Sequence, residues 1–177
     1  MPRDASGGEE AGPVGRSYAF VSVWQVDAPI QAVWDAIYHS ERWPHWWPYV
    51  AAVDELAPGD SEGLGEVRRY TWTTQLPYKL VFESTVTRVE PPRILEASVH
   101  GQLVGTGRWR LTRTECGTLV RYDWNIRTRV DWMNALAPIA RPFFAWNHDV
   151  VMRAGGRGLG RLLKARVQAG SLEEVQA

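Results

Sequence analysis

The stretch AWNHDVVMRAGG, residues 145–156, places three consecutive polar residues inside the longest apolar-periodic segment of the chain. At about 100° per residue, helical periodicity gathers the apolar residues on one face, with His148 at the centre. Those within about 60° of His148 are Phe144, Val151, Met152, Gly155, Leu159 and Leu162. The sequence therefore predicts a long buried helix, from about residue 143 to about residue 167, with a polar group aimed at its partner.

His148 needs a partner, because an unpaired polar group in apolar surroundings costs a few kcal/mol. One interpretation is a core histidine bonded to a strand residue such as Tyr122, or to a buried water. The other is a polar anchor for a ligand in a cavity, or a general acid or base, since imidazole exchanges protons near neutral pH. Asn147, on one shoulder of the stripe, shares that role or satisfies a strand end. Asp149, on the other shoulder, is expected outside, paired with Arg153.

Upstream of this helix the pattern is mostly strand and turn. β-Branched and aromatic residues predict a first strand over 17–26, followed by two short helices between residues 28 and 48. Six more strands are predicted, over 49–56, 64–74, 78–90, 94–100, 103–114 and 118–129. The connections between these six are short and rich in turn residues, which favours an antiparallel meander.

The order of these elements predicts an α+β fold. A seven-stranded, curved antiparallel sheet must cover one face to form a core, and the long C-terminal helix is the only element large enough to do so. Between residues 131 and 142, Pro138 and Pro142 are expected to interrupt an entry helix. The space between sheet and helix is a pocket unless side chains fill it.

The 177 residues suffice for a single domain, predicted over 17–169. Residues 1–16 are small, polar and rich in Gly and Pro, and are expected to form a disordered tail. Residues 170–177 are expected to fray. With 20 basic and 20 acidic side chains, the chain has no excess of positive charge that would favour binding to nucleic acid.

Other classes of function find little support in the sequence. No apolar run approaches the roughly 20 residues of a membrane span, and no secretory leader is evident, so a soluble cytoplasmic protein is the simplest interpretation. Cys116 is the single cysteine and lies in a predicted turn. The four histidines show no metal-ligand spacing, and no metal or other cofactor is predicted.

Ten tryptophans must pack together or line a site. On the strands, either core packing or a ligand-stacking cavity wall accounts for Tyr70, Trp72, Trp109, Tyr122 and Trp124. The segment WPHWWP, residues 43–48, is interpreted as a structural corner under the long helix, or as an aromatic gate or membrane-touching surface. The glycines of GGRGLG, residues 155–160, are expected to make room for the sheet or for a ligand.

Three polar strand residues are weighed as further acid/base candidates. Alternation groups Glu96 with His100 on one face of its strand, and Glu83 lies on another strand. Most charged strand residues face water, whereas a carboxylate facing inward would be a candidate base. Because one bulge reverses the face, both orientations stay open.

Several segments, in this order, resemble the SRPBCC superfamily, also called START-like or helix-grip, and most of all its polyketide cyclase/dehydrase branch. They are APIQAVWDAI (28–37), WPHWWP (43–48), LPYKL (76–80), VEPPR (89–93), GQLVGTGRWRLT (101–112), GTLVRYDW (117–124) and WNHDVVMRAGGRGL (146–159). The resemblance implies the helix-grip fold, but members range from lipid and hormone carriers to cyclases.

Three hypotheses follow from the resemblance and the residues together. The first is a binding protein for a small hydrophobic molecule: a lipid, a quinone, or an aromatic or polyketide-like compound. The second is a cyclase or dehydratase that uses His148 as acid or base. The third is an interaction subunit with a filled core. No nucleic acid and no stable membrane insertion are predicted, and the oligomeric state is left open. The predicted ligand-binding residues are Tyr70, Trp72, Trp109, Tyr122, Trp124, Phe144, Asn147, His148, Val151 and Met152.

Overall fold

A computed structural model describes residues 17–73, 79–129 and 137–170. The predicted tail over 1–16, residues 171–177 of the predicted C-terminal tail, and the start of the predicted entry helix lie outside these ranges. The first half of the described chain contains β1 (Ser17–Val26), α1 (Ile30–Tyr38), a 3₁₀ turn (Ser40–Arg42), α2 (Trp43–Trp46), β2 (Val50–Ala57) and β3 (Val67–Thr73). The remaining elements are β4 (Lys79–Glu90), β5 (Ile94–Gly101), β6 (Leu103–Thr114), β7 (Gly117–Thr128), α3 (Ala137–Leu163) and β8 (Val167–Gly170).

The described strands form one antiparallel sheet in the order β2-β3-β4-β5-β6-β7-β1-β8. Strands β6 and β7 pair along their whole length, from Leu103 opposite Thr128 to Thr114 opposite Gly117. Strand β1 also pairs with β7 over all of its residues. The sheet curves around α3, so the predicted meander and helix-grip architecture are confirmed. Its concave face carries the core and an internal cavity.

The C-terminal end of the long helix differs from the prediction. The helix ends at Leu163, because Lys164 adopts a left-handed conformation with φ of 52° and the Ala165 amide donates to the Gly160 carbonyl. Residues 167–170, predicted as helix end and tail, instead form β8 and pair with β1, where Val26 lies opposite Val167. The sheet therefore gains an eighth strand among the described residues.

Two further details of the helix prediction were wrong. Helix α3 begins at Ala137 and runs without interruption through Pro142. Pro142 has no N–H to donate, so the helix loses one backbone hydrogen bond there but continues. Leu162, placed on the buried stripe by periodicity, is 49% exposed.

The segment from Trp43 to Trp47, here called the tryptophan corner, is a closely packed region of the core. Its three tryptophans are all buried, and the Trp47 ring packs edge-on against Trp24 of β1 with 5.5 Å between centroids. The Trp47 indole N–H donates a 2.9 Å hydrogen bond to the carbonyl of Val151 in α3. The interpretation of WPHWWP as a structural corner beneath the long helix is therefore confirmed.

The glycines of α3 make room for this corner. A Cβ atom at Gly155 would overlap the Trp47 ring, and one at Gly158 would overlap the backbone carbonyl oxygen of Trp46. The sheet was expected to approach here, and it does so at Gly156, which lies beside Trp24 of β1 and beside Val167 and Ala169 of β8. The ligand alternative is wrong for Gly155 and Gly158, because aromatic and backbone atoms of the corner already occupy that space.

Candidate functional site

The concave side of the sheet encloses two chambers rather than a filled core. The larger, here called the outer chamber, lies beneath the N-terminal half of α3 and has a volume of about 130 Å³. It is lined by Tyr18, Phe20, Trp72, Leu80, Phe82, Leu103, Tyr122, Trp124, Ile126, Thr128, Phe144, Asn147, His148, Val151 and Met152. None of these lining residues is Asp, Glu, Lys or Arg. A volume of this size, with walls of this kind, accommodates a small ring compound.

Strand alternation explains how the sheet contributes this wall. Tyr18 and Phe20 of β1 share a parity, as do Tyr122 and Trp124 of β7, and side chains two positions apart point to the same face. The register pairs Phe20 with Trp124 across β1 and β7, so neighbouring strands present aromatic rings side by side. The strands therefore build a continuous aromatic wall opposite α3.

His148 faces this wall. Its ring stacks on Phe20 with 4.6 Å between centroids and 17° between planes. Its Nδ1 lies 3.7 Å from a carboxylate oxygen of Asp149, whereas its Nε2 is buried and has no hydrogen-bond partner among the described residues. The predicted bond between His148 and a strand residue such as Tyr122 is not present among the described residues, whereas the bond to a buried water stays a prediction. The Nε2 atom is left as a polar spot in an apolar chamber.

The two neighbours of His148 diverge, as the helical geometry predicts. Asn147 lines the outer chamber beside His148. The Asp149 side chain is 63% exposed and lies outside the chamber. The predicted pairing of Asp149 with Arg153 stays a prediction; the Arg153 guanidinium donates to the Ala169 carbonyl at 3.3 Å.

The second space, here called the inner chamber, lies toward α1 and has a volume of about 70 Å³. Trp72, Phe82, Tyr122 and Trp124 line both chambers and so form an aromatic partition between them. Tyr122 stacks on Trp109 with only 4.0 Å between ring centroids, which anchors one side of this partition. The two chambers therefore share part of their lining, and the shared aromatic side chains separate one chamber from the other.

The far end of the inner chamber is polar. The Arg68 guanidinium donates to a Glu66 carboxylate oxygen at 2.7 Å, to the Ser40 hydroxyl at 2.6 Å and to a Glu41 oxygen at 2.8 Å. Ser40 also shares a 2.8 Å hydrogen bond with the Tyr70 hydroxyl. Because two carboxylates already surround Arg68, its charge is compensated within the protein. The inner end is therefore a structural ion-pair cluster, and it offers no free cation to an anionic ligand.

Burial controls the acid/base character of this cavity. Desolvation raises the pKa of the Tyr122 hydroxyl well above its ordinary value, and the nearby Tyr70 raises it further. Desolvation also raises the pKa of Tyr70, although its hydrogen bond with Ser40 opposes the shift. Burial acts to lower the pKa of Arg68, but its hydrogen bond to Glu66 and the surrounding negative charges raise it overall. At neutral pH both phenols are uncharged, and Arg68 carries its positive charge.

The structure brings the predicted site residues into this cavity. Eight of the ten line the outer chamber: Trp72, Tyr122, Trp124, Phe144, Asn147, His148, Val151 and Met152. The other two, Tyr70 and Trp109, line only the inner chamber. That these side chains contact a ligand stays a prediction.

The polar strand residues lie elsewhere. Glu83 pairs with Arg69 at 2.9 Å, Glu96 pairs with Arg108, and His100 lies 3.2 Å from the Ser98 hydroxyl. Their neighbours of opposite parity line the inner chamber, so all three point to the convex face. The inward-facing carboxylate considered as a candidate base is therefore absent from these positions.

Sequence reasoning missed the polar cluster and part of the outer wall. Glu66 and Arg68 share a parity with Tyr70 and Trp72, which were predicted to face inward, so alternation already indicated their direction. A charged pair on an inward face was not expected. Tyr18 was also missed, and so was Phe20, which shares its parity on β1.

The part of the chain that the structure describes contains no cluster of three His, Cys, Asp or Glu side chains able to hold a metal ion. No helix within it is long and apolar enough to span a membrane.

Sheet, long helix and divided apolar cavity together define a helix-grip protein with an internal ligand-sized space. Residues 19–169 match the family described as polyketide cyclase / dehydrase and lipid transport, and the chain belongs to this family. The resemblance to the SRPBCC superfamily is thereby confirmed. No curated protein sequence matches the chain.

Solved structures share the fold at low sequence identity. The di-domain aromatase/cyclase BexL, from the BE-7585A biosynthetic pathway, superposes with a TM-score of 0.66 at 20% identity, over 85% of this chain and 51% of BexL. The chain thus spans about half the length of that di-domain protein. The aromatase/cyclase ZhuI from Streptomyces sp. R1128 gives 0.61 at 18% identity, over 82% of this chain and 92% of ZhuI. A START superfamily protein from Mycobacterium smegmatis gives 0.65 at 14% identity, over 85% and 98% of the two chains.

Proposed function

We propose that the protein binds a small hydrophobic molecule in the outer chamber, beneath residues 144–152 of α3. The observation that carries this proposal is the chamber itself: about 130 Å³ of space with an aromatic and aliphatic wall. An unfilled apolar space costs packing energy, because the atoms that line it lack contacts on one side. Binding an apolar molecule that fits the chamber recovers that energy.

The lining also supports a neutral, largely apolar ligand. The described wall of the outer chamber contains no carboxylate, ammonium or guanidinium group, so a buried charge there would lack a counter-ion. Asn147 and His148 would supply the few polar contacts that fix the orientation of the ligand. The family, which includes lipid transport in its description, fits this role.

Native mass spectrometry of the purified protein, followed by organic extraction, tests the proposal. We expect an excess mass that disappears on denaturation, or uptake from a panel of lipids, quinones and aromatic compounds. Val151→Phe, which places a ring in the chamber, should abolish uptake. Val21→Phe is the matched control, because Val21 is 46% exposed and lies outside the chamber. Equal uptake by both variants, or none by the native chain, would contradict the proposal.

A cyclase or dehydratase is the second candidate, favoured by the uncommitted Nε2 of His148 in the chamber. The chamber would fold a flexible chain while His148 exchanges protons. The described lining residues offer phenols as further acid/base groups, and burial makes the phenol of Tyr122 a poor one. Turnover that is lost in His148→Ala while uptake persists would establish this role. Unchanged turnover in His148→Ala would exclude an acid/base role for His148.

The third hypothesis, an interaction subunit with a filled core, is disfavoured by the two chambers. The domain bounds of 17–169 and a cytoplasmic location stay predictions. No cofactor enters the proposal.

A further inference from the structure

Buried polar atoms without partners are concentrated at one place in the described structure. Six such side-chain atoms occur, and three of them belong to residues that line the outer chamber. These three are the Tyr18 hydroxyl, the Trp72 indole nitrogen and the His148 Nε2 atom. Each loses its hydrogen bonds to water on folding and gains none from the described protein, at a cost of about 1–3 kcal/mol. A ligand that supplies hydrogen-bond partners would offset that cost.

The chemistry of the three groups restricts what that ligand offers. An indole N–H is a donor only, so Trp72 needs an acceptor atom. A phenol hydroxyl donates or accepts, and so does a neutral imidazole nitrogen, depending on its tautomer. A ligand with one or two acceptor oxygens therefore satisfies Trp72 and at least one of the others. A pure hydrocarbon satisfies none of them.

Charge restricts the ligand further. The described residues that line the outer chamber include no Arg or Lys, and Arg68 in the inner chamber is already held by Glu66 and Glu41. A buried carboxylate or phosphate would therefore lie without a counter-ion. The acceptor oxygen must belong to an uncharged group, such as a ketone or a quinone.

We propose that Trp72 is the specificity-determining donor of the outer chamber, and that it selects a neutral ring compound bearing a carbonyl oxygen. The aromatic wall formed by Tyr122, Trp124 and Phe82, in which Tyr122 and Trp124 are stacked, suits a ring better than a flexible acyl chain. Tyr18 and His148 offer the remaining polar contacts. This inference rests on the proposed function, since it names the ligand class for the same chamber.

Equilibrium dialysis with three probes tests the inference: α-tetralone, the matching hydrocarbon tetralin, and β-naphthoate as the anionic ring. We expect the native protein to bind α-tetralone about tenfold more tightly than tetralin, the worth of one well-made buried hydrogen bond. β-Naphthoate should bind most weakly. In Trp72→Phe the ratio between ketone and hydrocarbon should fall toward one.

The matched control is Trp46→Phe. Trp46 also carries a buried indole nitrogen without a partner among the described residues, but it lies outside both chambers. The variant should keep the tenfold preference within a factor of about two. Tyr18→Phe gives a second probe of the chamber if Trp72→Phe does not fold, and it should reduce the preference in part.

The outcomes separate the two proposals. Equal binding of α-tetralone and tetralin, or a preference that survives in both Trp72→Phe and Tyr18→Phe, would overturn the carbonyl inference and leave the binding function standing. Tightest binding of β-naphthoate would overturn it as well. Binding of none of the three probes would count against both the inference and the proposed function.

Discussion

The two halves of α3 share one helical stripe but face opposite kinds of surroundings. Residues 155–163 carry four glycines and press against the tryptophan corner and β8, so closely that a Cβ at Gly158 would overlap a backbone oxygen. Residues 144–152 carry larger side chains and face the outer chamber, where His148 Nε2 has no described partner. The C-terminal half fixes the helix on the sheet, and the N-terminal half covers the cavity.

The difference shows that one buried helical stripe can pack against the core at one end and line a cavity at the other. Packing energy is concentrated where glycines let large aromatic groups approach the helix axis. The other half contributes Val151 and Met152 to the core, but it also lines the outer chamber and keeps polar atoms that stability alone does not require. Substitutions in the two halves should therefore act on different properties.

Gly158→Ala should have one of the two largest effects on stability. Although alanine favours a helix by about 1 kcal/mol over glycine, its Cβ meets the Trp46 carbonyl, which cannot move without shifting the corner. We expect the free energy of unfolding to fall by about 3 kcal/mol in urea denaturation. Asn147→Ala, in the other half, is the control and should cost less than about 1 kcal/mol. A Gly158→Ala protein as stable as the native one would refute the close packing.

Leu159→Ala and Phe144→Ala compare apolar truncations in the two halves. Leu159 is 0% exposed and fully packed, so its truncation should cost about 3 kcal/mol. Phe144 borders open space and contacts Tyr18 at 5.6 Å between ring centroids. Its truncation should cost about half as much, because fewer packed atoms are lost. Equal losses in thermal and urea denaturation would show that the chamber is packed as tightly as the corner.

His148→Leu should leave stability unchanged or raise it by about 1 kcal/mol, because it removes a buried nitrogen that has no described partner. The same change should weaken the uptake of oxygen-bearing ligands. Urea denaturation of the ligand-free protein provides the measurement. A loss of more than about 1 kcal/mol would indicate that His148 is a satisfied structural residue instead.

Tyr122→Phe should have the smallest effect, and only at alkaline pH. Burial raises the folded-state pKa of Tyr122 above its unfolded value, so its contribution to stability is complete below about pH 10 and is lost as the pH rises further. Removing the hydroxyl should flatten the decline in unfolding free energy between about pH 9 and pH 12. Parallel declines in the two proteins would mean that Tyr122 ionises as freely when folded as when unfolded.

The sequence predicted most of the fold, because alternation and helical periodicity report burial directly. The strand bounds from β1 to β7 agree with the predicted ranges to within three residues at each end. Strand β8 was missed because Val167–Gly170 continues an amphipathic segment and is too short to show a period of its own. Only its pairing with β1 makes it a strand.

The site was less predictable for physical reasons. Periodicity indicated that the side chains of His148 and Trp72 point inward. The size of the cavity, however, depends on how far the sheet curves away from α3, and no local pattern encodes that distance. The glycines indicated close approach without naming the partner, since Trp46 and Trp47 are about a hundred residues away in sequence. The Arg68 cluster required recognising that a charged pair can be buried when each charge compensates the other.

A proton–nitrogen correlation spectrum recorded during titration with α-tetralone tests the central claim most directly, because it locates binding along α3. We predict shifts in the amides of residues 144–152 and in the Trp72 indole N–H, with the amides of residues 155–163 and the Trp46 indole unchanged. Shifts centred on residues 155–163, or none at a saturating concentration of the ketone, would contradict the division of α3 into a packing half and a ligand-covering half.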